Sequence, residues 1–158
     1  MPSDAYRPRG AVRILARRDP RMARLLGHIR PVAIPQKPST FESIARSIVY
    51  QQLSGRAAQT IWERLLARFA PEGLQPDAVL RKRPATLRKA GLSAAKTASV
   101  RDLARHVLDG ELDPEALRDL DDAAVVEQLT RVKGIGPWSA HMHLIFALAR
   151  PDVWPTGD

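Results

Sequence analysis

Hydrophobic residues recur along most of this chain at steps of three and four, the period of a helix that buries one face. Phe41, Ile44, Ala45, Ile48 and Val49 form one such stripe, and Ala58, Ile61, Trp62, Leu65 and Phe69 form the next. Met22, Leu25, Leu26 and Ile29 make a third, and Val100, Leu103, Ala104, Val107 and Leu108 a fourth. Start and stop signals agree with these periods. Asp19-Pro20 places a capping carboxylate before a proline at the first helical position. Ser39 with Glu42 reads as a capping box for the Phe41 helix. Ser54 and Gly55 divide that helix from its successor, Ser93 caps a long helix that Gly110 ends, and Asp113-Pro114 opens a short one. Asp121 caps a helix running to about Arg131, and Pro137 starts a last one ending near Ala149.

Between these stretches, PVAIPQKP (31–38) cannot be helical and acts as a linker. Residues 71–92 are short helical turns punctuated by Pro71, Gly73, Pro76, Pro84 and Gly91. Val12–Leu15 is the only weak hint of a strand. The pattern therefore predicts an all-α chain, with Trp62 in the core.

Composition narrows the function classes. At 158 residues and 44% hydrophobic, the chain suits one domain or two small ones. No run of 18 apolar residues is present, and the N-terminus lacks an apolar stretch long enough for a secretory leader. With no cysteine there is no disulfide, no thiolate zinc site, no cysteine nucleophile and no cysteine-ligated iron–sulfur cluster. A cytoplasmic location is expected. His141 and His143 lie two apart and cannot share a helix face as metal ligands, while His28 and His106 are isolated, so metal catalysis is not indicated. Residues 1–30 hold eight arginines against Asp4 and Asp19, a net charge of +6, which leaves +2 of the total +8 for the remainder. A basic arm on a near-neutral body suits an anionic polymer, as does a solubilising tail.

The densest chemistry lies near the C-terminus, in LTRVKGIGPWSAHMHLIFALARPDVWPTGD (129–158). VKGIG between two helices fits an anion-binding turn. Gly134 and Gly136 allow positive φ and close backbone approach, and the amides and dipole at the start of the Pro137 helix favour a negative ligand beside Lys133. Such amides would see phosphate rather than sequence. An ordinary glycine-terminated helix connection fits the same residues.

The flanking residues resemble a known family. L-x-x-V-K-G-I-G-P-W-S-A (129–140) resembles the DNA-binding motif of the helix-hairpin-helix-GPD superfamily of base-excision DNA glycosylases. FxxIxxxIxxQQLSxxAAxxIxxRL (41–65) is similar to the first core helices of its alkylation-repair branch, the 3-methyladenine DNA glycosylase II family. GLSAAK (91–96), followed by Leu103 and Ala104, and RPDVWPTGD (150–158) match that branch too, so the resemblance runs from about Asp19 to Asp158.

The resemblance implies two helical lobes with DNA lying across the cleft between them, and a monofunctional enzyme that removes alkylated purines. Asp158, 22 positions beyond Gly136, is then the catalytic carboxylate that stabilises an oxocarbenium-like sugar and assists the attacking water. Trp138 stands where strand-nicking relatives carry a Schiff-base lysine, which implies hydrolysis by water without strand cleavage. Its ring would stack on the extruded, electron-poor base. The alternative is that Trp138 packs the hairpin against the following helix. Tyr50 and Met142 are further pocket walls, and Met142 stands where some relatives carry an aromatic. Extrusion needs a wedge to fill the vacated stack, and Gln52, then Leu53, fall where the resemblance places it. Lys133, Gly134, Gly136 and Ser139 would hold phosphate. The carbonyls of Thr130, Val132 and Ile135 correspond to those that hold Na⁺ or K⁺ in relatives; no other cofactor is implied, and no iron–sulfur cluster. Arg81, Lys82, Arg83, Arg88, Lys89 and Lys96 could flank the DNA backbone or form solvated faces.

The expected partition is a basic arm (1–18), a first helix and linker (19–38), a central lobe ending in the hairpin (39–135), and the post-hairpin helix with the catalytic loop (136–158). The partner is duplex DNA bearing alkylated bases, bound by a monomer at the nucleoid, with no membrane. A non-catalytic helix-hairpin-helix binding module would need neither Asp158 nor the QQLS helix. The family ordinarily continues beyond the aspartate with helices that close the fold, so residues 1–158 alone are expected to show weak activity or none, as an incomplete piece of such an enzyme.

Overall fold

The computed structural model describes residues 9–29, 34 and 36–155; Arg9 is described by its backbone alone. Asp158, with Thr156 and Gly157, lies outside the described residues, as do residues 1–8 of the basic arm and most of the linker's first half. Among the described residues the chain is all-helical: α1 (Arg9–Arg18), α2 (Pro20–His28), α3 (Phe41–Tyr50), α4 (Gly55–Leu66), α5 (Pro76–Arg81), α6 (Pro84–Lys89), α7 (Ala94–Leu108), a 3₁₀ turn (Ala116–Asp119), α8 (Asp122–Arg131) and α9 (Pro137–Phe146). None of the described helices is long and apolar enough to cross a membrane.

Most caps sit where the sequence places them. Asp19 accepts from the Arg21 and Met22 amides, Ser54 from Ala57, Ser93 from Lys96 and Asp121 from Ala124. Three expectations are corrected. The capping box of α3 is Thr40 with Ser43, one residue later than Ser39 with Glu42. Val12–Leu15, the weak hint of a strand, lies within α1, a helix that packs on α2. Finally, α9 ends at Phe146 rather than near Ala149, and Ala149 itself takes a positive φ of 54°.

One apolar cluster joins α3, α4, α7, α8 and α9. Ile44, Ile48, Val49, Leu65, Val100, Leu103, Leu129 and Leu144 are all buried in it, and Trp62 is a core residue at 4% exposure. Ala140, Leu144 and Leu148 belong to the same cluster, so the core runs through the 135/136 boundary without a break. The 15-residue α7 is the central strut, packing on α3, α5 and α6. On its outer side Arg101 donates to the carbonyls of Val79 (2.9 Å) and Lys82 (2.7 Å), closing the C-terminal end of α5.

Ser39 is freed from capping because it is buried elsewhere. Its hydroxyl donates to the Pro114 carbonyl and lies 3.0 Å from His143 Nε2, so the imidazole donates to that oxygen and is held neutral with its proton on Nε2. Burial pushes the His143 pKa down from 6.5 to about 4. The unfolded chain therefore binds this proton first as pH falls. The corresponding stability is present above about pH 6.5 and is lost toward pH 4, by about 3 kcal/mol in all. Urea unfolding of the wild type and His143→Gln, compared at neutral pH and near pH 4.5, should show the smaller acid loss in the variant. An equal loss in both would remove His143 from the acid response.

Candidate functional site

The helix–hairpin–helix is built by α8, the turn Val132–Gly136 and α9. Gly134 alone of the two hairpin glycines needs its freedom: its φ is +82°. Gly136 has φ −95° and ψ 175°, an extended N-cap that any residue adopts, so the positive φ a glycine allows is not used there. What distinguishes Gly136 is open space, since a Cβ built on it meets no atom within 4 Å. The N-terminus of α9 has no side-chain cap, and Pro137 occupies its first turn. Among the described residues the amides of Gly134, Gly136, Trp138 and Ser139 donate to nothing. The hairpin thus presents bare donors at the positive end of a ten-residue helix.

Lys133 is anchored by its backbone, its amide donating to Asp102 Oδ2 (2.9 Å), while its side chain is exposed beside the bare amides. The carbonyls of Thr130 and Ile135 accept no hydrogen bond among the described residues, and that of Val132 accepts only from Ile135 (3.1 Å). These oxygens remain available to a cation. Trp138 is 41% exposed on the first turn of α9, and Met142, one turn on, is half-buried.

The second part of the site is the turn after α3. The chain leaves the helix at Gln51, and Gln52 takes φ +54°, a left-handed conformation that costs a non-glycine residue free energy. Gln52 and Leu53 are exposed side by side, Leu53 at 39%. The sequence reading missed what holds this turn to the hairpin. Gln51 Nε2 donates to the Gly134 carbonyl (3.0 Å) and to Ser139 Oγ (3.2 Å). Only the repeated Gln in QQLS hinted at a second role. Tyr50, by contrast, faces α4: its hydroxyl donates to Gln59, and the Arg46 guanidinium stands 4.8 Å from its ring centre. Lys96, for which a DNA-flanking role and a solvated face were the two expectations, is spent inside the protein, donating to the carbonyls of Val49 and Gln51 at 2.7 Å each.

The segment leading toward Asp158 is fastened upstream. Arg150 donates to the carbonyls of Arg118 (3.0 Å) and Leu120 (2.6 Å) and pairs with Asp122 (3.4 Å). Val153 packs on the core, whereas Trp154 is 84% exposed.

A helix–hairpin–helix with bare amides, tied to an exposed turn on a neighbouring helix, suits an anionic ligand such as a phosphate. Residues 45–158 match the model of the HhH-GPD superfamily base excision DNA repair proteins, and the chain belongs to that family. It is 32% identical over 141 residues to DNA-3-methyladenine glycosylase 1 of Schizosaccharomyces pombe, covering 87% of this chain. The chain spans 61% of that relative's length. It superposes on the crystal structure of a DNA-3-methyladenine glycosidase from Bacillus halodurans with a TM-score of 0.84 and 34% identity, over 100% of this chain and 72% of that one. For the fission-yeast 3-methyladenine DNA glycosylase in complex with abasic DNA the TM-score is 0.79 at 30% identity, over 94% of this chain and 75% of that one.

Proposed function

We propose that this protein is a monofunctional DNA glycosylase, acting as a monomer at the nucleoid, that extrudes alkylated purines of the 3-methyladenine and 7-methylguanine type from duplex DNA and hydrolyses their N-glycosidic bond. The observation that carries the reading is the tie through Gln51, which locks an exposed Gln52–Leu53 turn to a hairpin of bare amides. A phosphate grip and a wedge held at fixed separation are what base extrusion needs.

In this reading the amides of Gly134, Gly136 and Ser139, with Lys133, take a backbone phosphate. Thr130, Val132 and Ile135 would hold a monovalent cation, which adds positive charge toward that phosphate. Gln52 and Leu53 enter the stack as the base leaves it, and Trp138 stacks on the extruded ring beside Met142. The N-glycosidic bond then breaks with its electron pair passing to the base. Positive character grows on C1′, the Asp158 carboxylate stabilises it, and water adds its oxygen to C1′ as its proton passes to Asp158 and on to solvent. Alkylation makes the base a better leaving group and gives its ring the positive charge that an electron-rich indole face attracts. Trp138 in place of a lysine leaves no amine to capture C1′, so the product is an intact strand with an abasic site.

Incubation with methylated duplex DNA should release free 3-methyladenine or 7-methylguanine, and strand breaks should appear only after alkali. Borohydride should trap no covalent complex. Duplex binding with no base release by the full-length protein would instead indicate a non-catalytic binding module.

A further inference from the structure

One face of α7 runs beneath both halves of this site. Lys96 Nζ reaches the carbonyls of Val49 and Gln51, where α3 ends. One turn on, Ser99 lies directly against Gly134: a Cβ at Gly134 would sit 2.4 Å from Ser99 Oγ. Asp102 accepts the Lys133 amide at 2.9 Å, and His106 Nε2 lies 3.1 Å from the Arg131 carbonyl at the end of α8. Steps of three, three and four keep these four positions on one helix face. Gln51 closes the circuit by donating to Gly134 and Ser139.

We infer that Lys96 is a positioning residue for base extrusion: by clamping the end of α3 to α7, it registers the strained Gln52–Leu53 turn against the hairpin. The inference rests on the glycosylase reading proposed above. The chemistry suits lysine. Its ammonium carries three donors, two of them satisfied here by carbonyls at the negative end of the α3 dipole. Partial burial lowers its pKa from the ordinary lysine value by desolvation, while the two carbonyls favour the charged form. Without it, the turn that starts at Gln51 loses its anchor to α7, while Asp102 still holds the Lys133 amide and Ser99 still packs against Gly134.

The test separates extrusion from both folding and chemistry. Two duplexes carry 7-methylguanine, one opposite cytosine and one opposite an abasic-site analogue, where no pairing resists extrusion. Lys96→Met should slow base release from the paired lesion by about tenfold to a hundredfold, and from the unpaired lesion by no more than about threefold. Gln51→Ala cuts the circuit at its other link and should show the same selectivity, deciding the matter alone if Lys96→Met does not fold. Lys96→Arg should keep most of the paired-lesion rate. Equal losses on both duplexes, or none on either, would overturn the inference.

A second arm needs no catalysis. The fluorescence of 2-aminopurine at the target position should rise when the wild type unstacks it, and should rise less with either variant at equal duplex affinity. If no base is released from either duplex but this difference persists, the hydrolytic reading fails and the positioning role stands. No rise with the wild type, or a rise unchanged in both variants, overturns the positioning role whatever the base release.

Discussion

Asp158→Asn in the full-length protein is expected to lower base release by about a hundredfold to a thousandfold, the range for removing a preorganised electrostatic partner of a developing charge. The substitution keeps size but replaces one acceptor oxygen with an N–H donor, so the loss would report the negative charge together with its capacity to accept from water. In bond breaking the charge on C1′ grows from near zero, so a fixed carboxylate stabilises the transition state more than the ground state. The deficit should therefore fall on kcat with little change in KM. Duplex affinity should hold or rise, since a negative group is removed beside a polyanion. Upstream of Asp158, Arg150 is bound to two carbonyls and a carboxylate, and Val153 packs on the core. Single-turnover release of 7-methylguanine is the measurement. A variant retaining more than about a tenth of the wild-type rate would remove Asp158 from the chemistry.

How far the sequence foretold this molecule depended on the range of the forces involved. The α3 and α4 stripes, the Ser54, Ser93 and Asp121 caps and the hairpin are local features, and all appear where periodicity and capping chemistry place them. The misses are long-range. Ser39, expected to cap α3, is drawn into the core by partners 75 and 104 residues away, and Thr40 caps instead. Lys96 looked like any surface cation, because nothing local announces that the carbonyls of Val49 and Gln51, 47 and 45 residues earlier, lie under its ammonium. The same holds for Gln51, whose partners Gly134 and Ser139 are 83 and 88 residues away. In α1, Ile14 and Leu15 are exposed at 53% and 45%, so no buried stripe marked the helix in advance. The hairpin glycines carried one signal and two different reasons, which only the backbone separates.

That separation makes opposite predictions for two alanines. At Gly134, φ is +82° and an added Cβ would stand 2.4 Å from Ser99 Oγ and 3.2 Å from Ser99 Cβ. The left-handed backbone costs a Cβ-bearing residue about 1–2 kcal/mol, and the overlap adds about 1–3 kcal/mol unless α7 shifts. Gly134→Ala should therefore destabilise by about 2–5 kcal/mol in denaturant unfolding. Ser99→Ala in the same background removes the nearer atom and should restore about 1 kcal/mol or more, a coupling between residues in contact. The φ cost would remain. Gly136→Ala meets neither obstacle, with φ −95° and no atom within 4 Å of the new methyl, and should cost under about 1 kcal/mol. Its methyl would instead stand in the open approach to the bare amides of α9. Losing even one charge-assisted hydrogen bond to phosphate would weaken duplex binding about tenfold or more. If Gly134→Ala is as stable as the wild type, the packing of the hairpin on α7 is looser than its geometry implies. If Gly136→Ala binds duplex DNA undiminished, phosphate does not bind at this helix end.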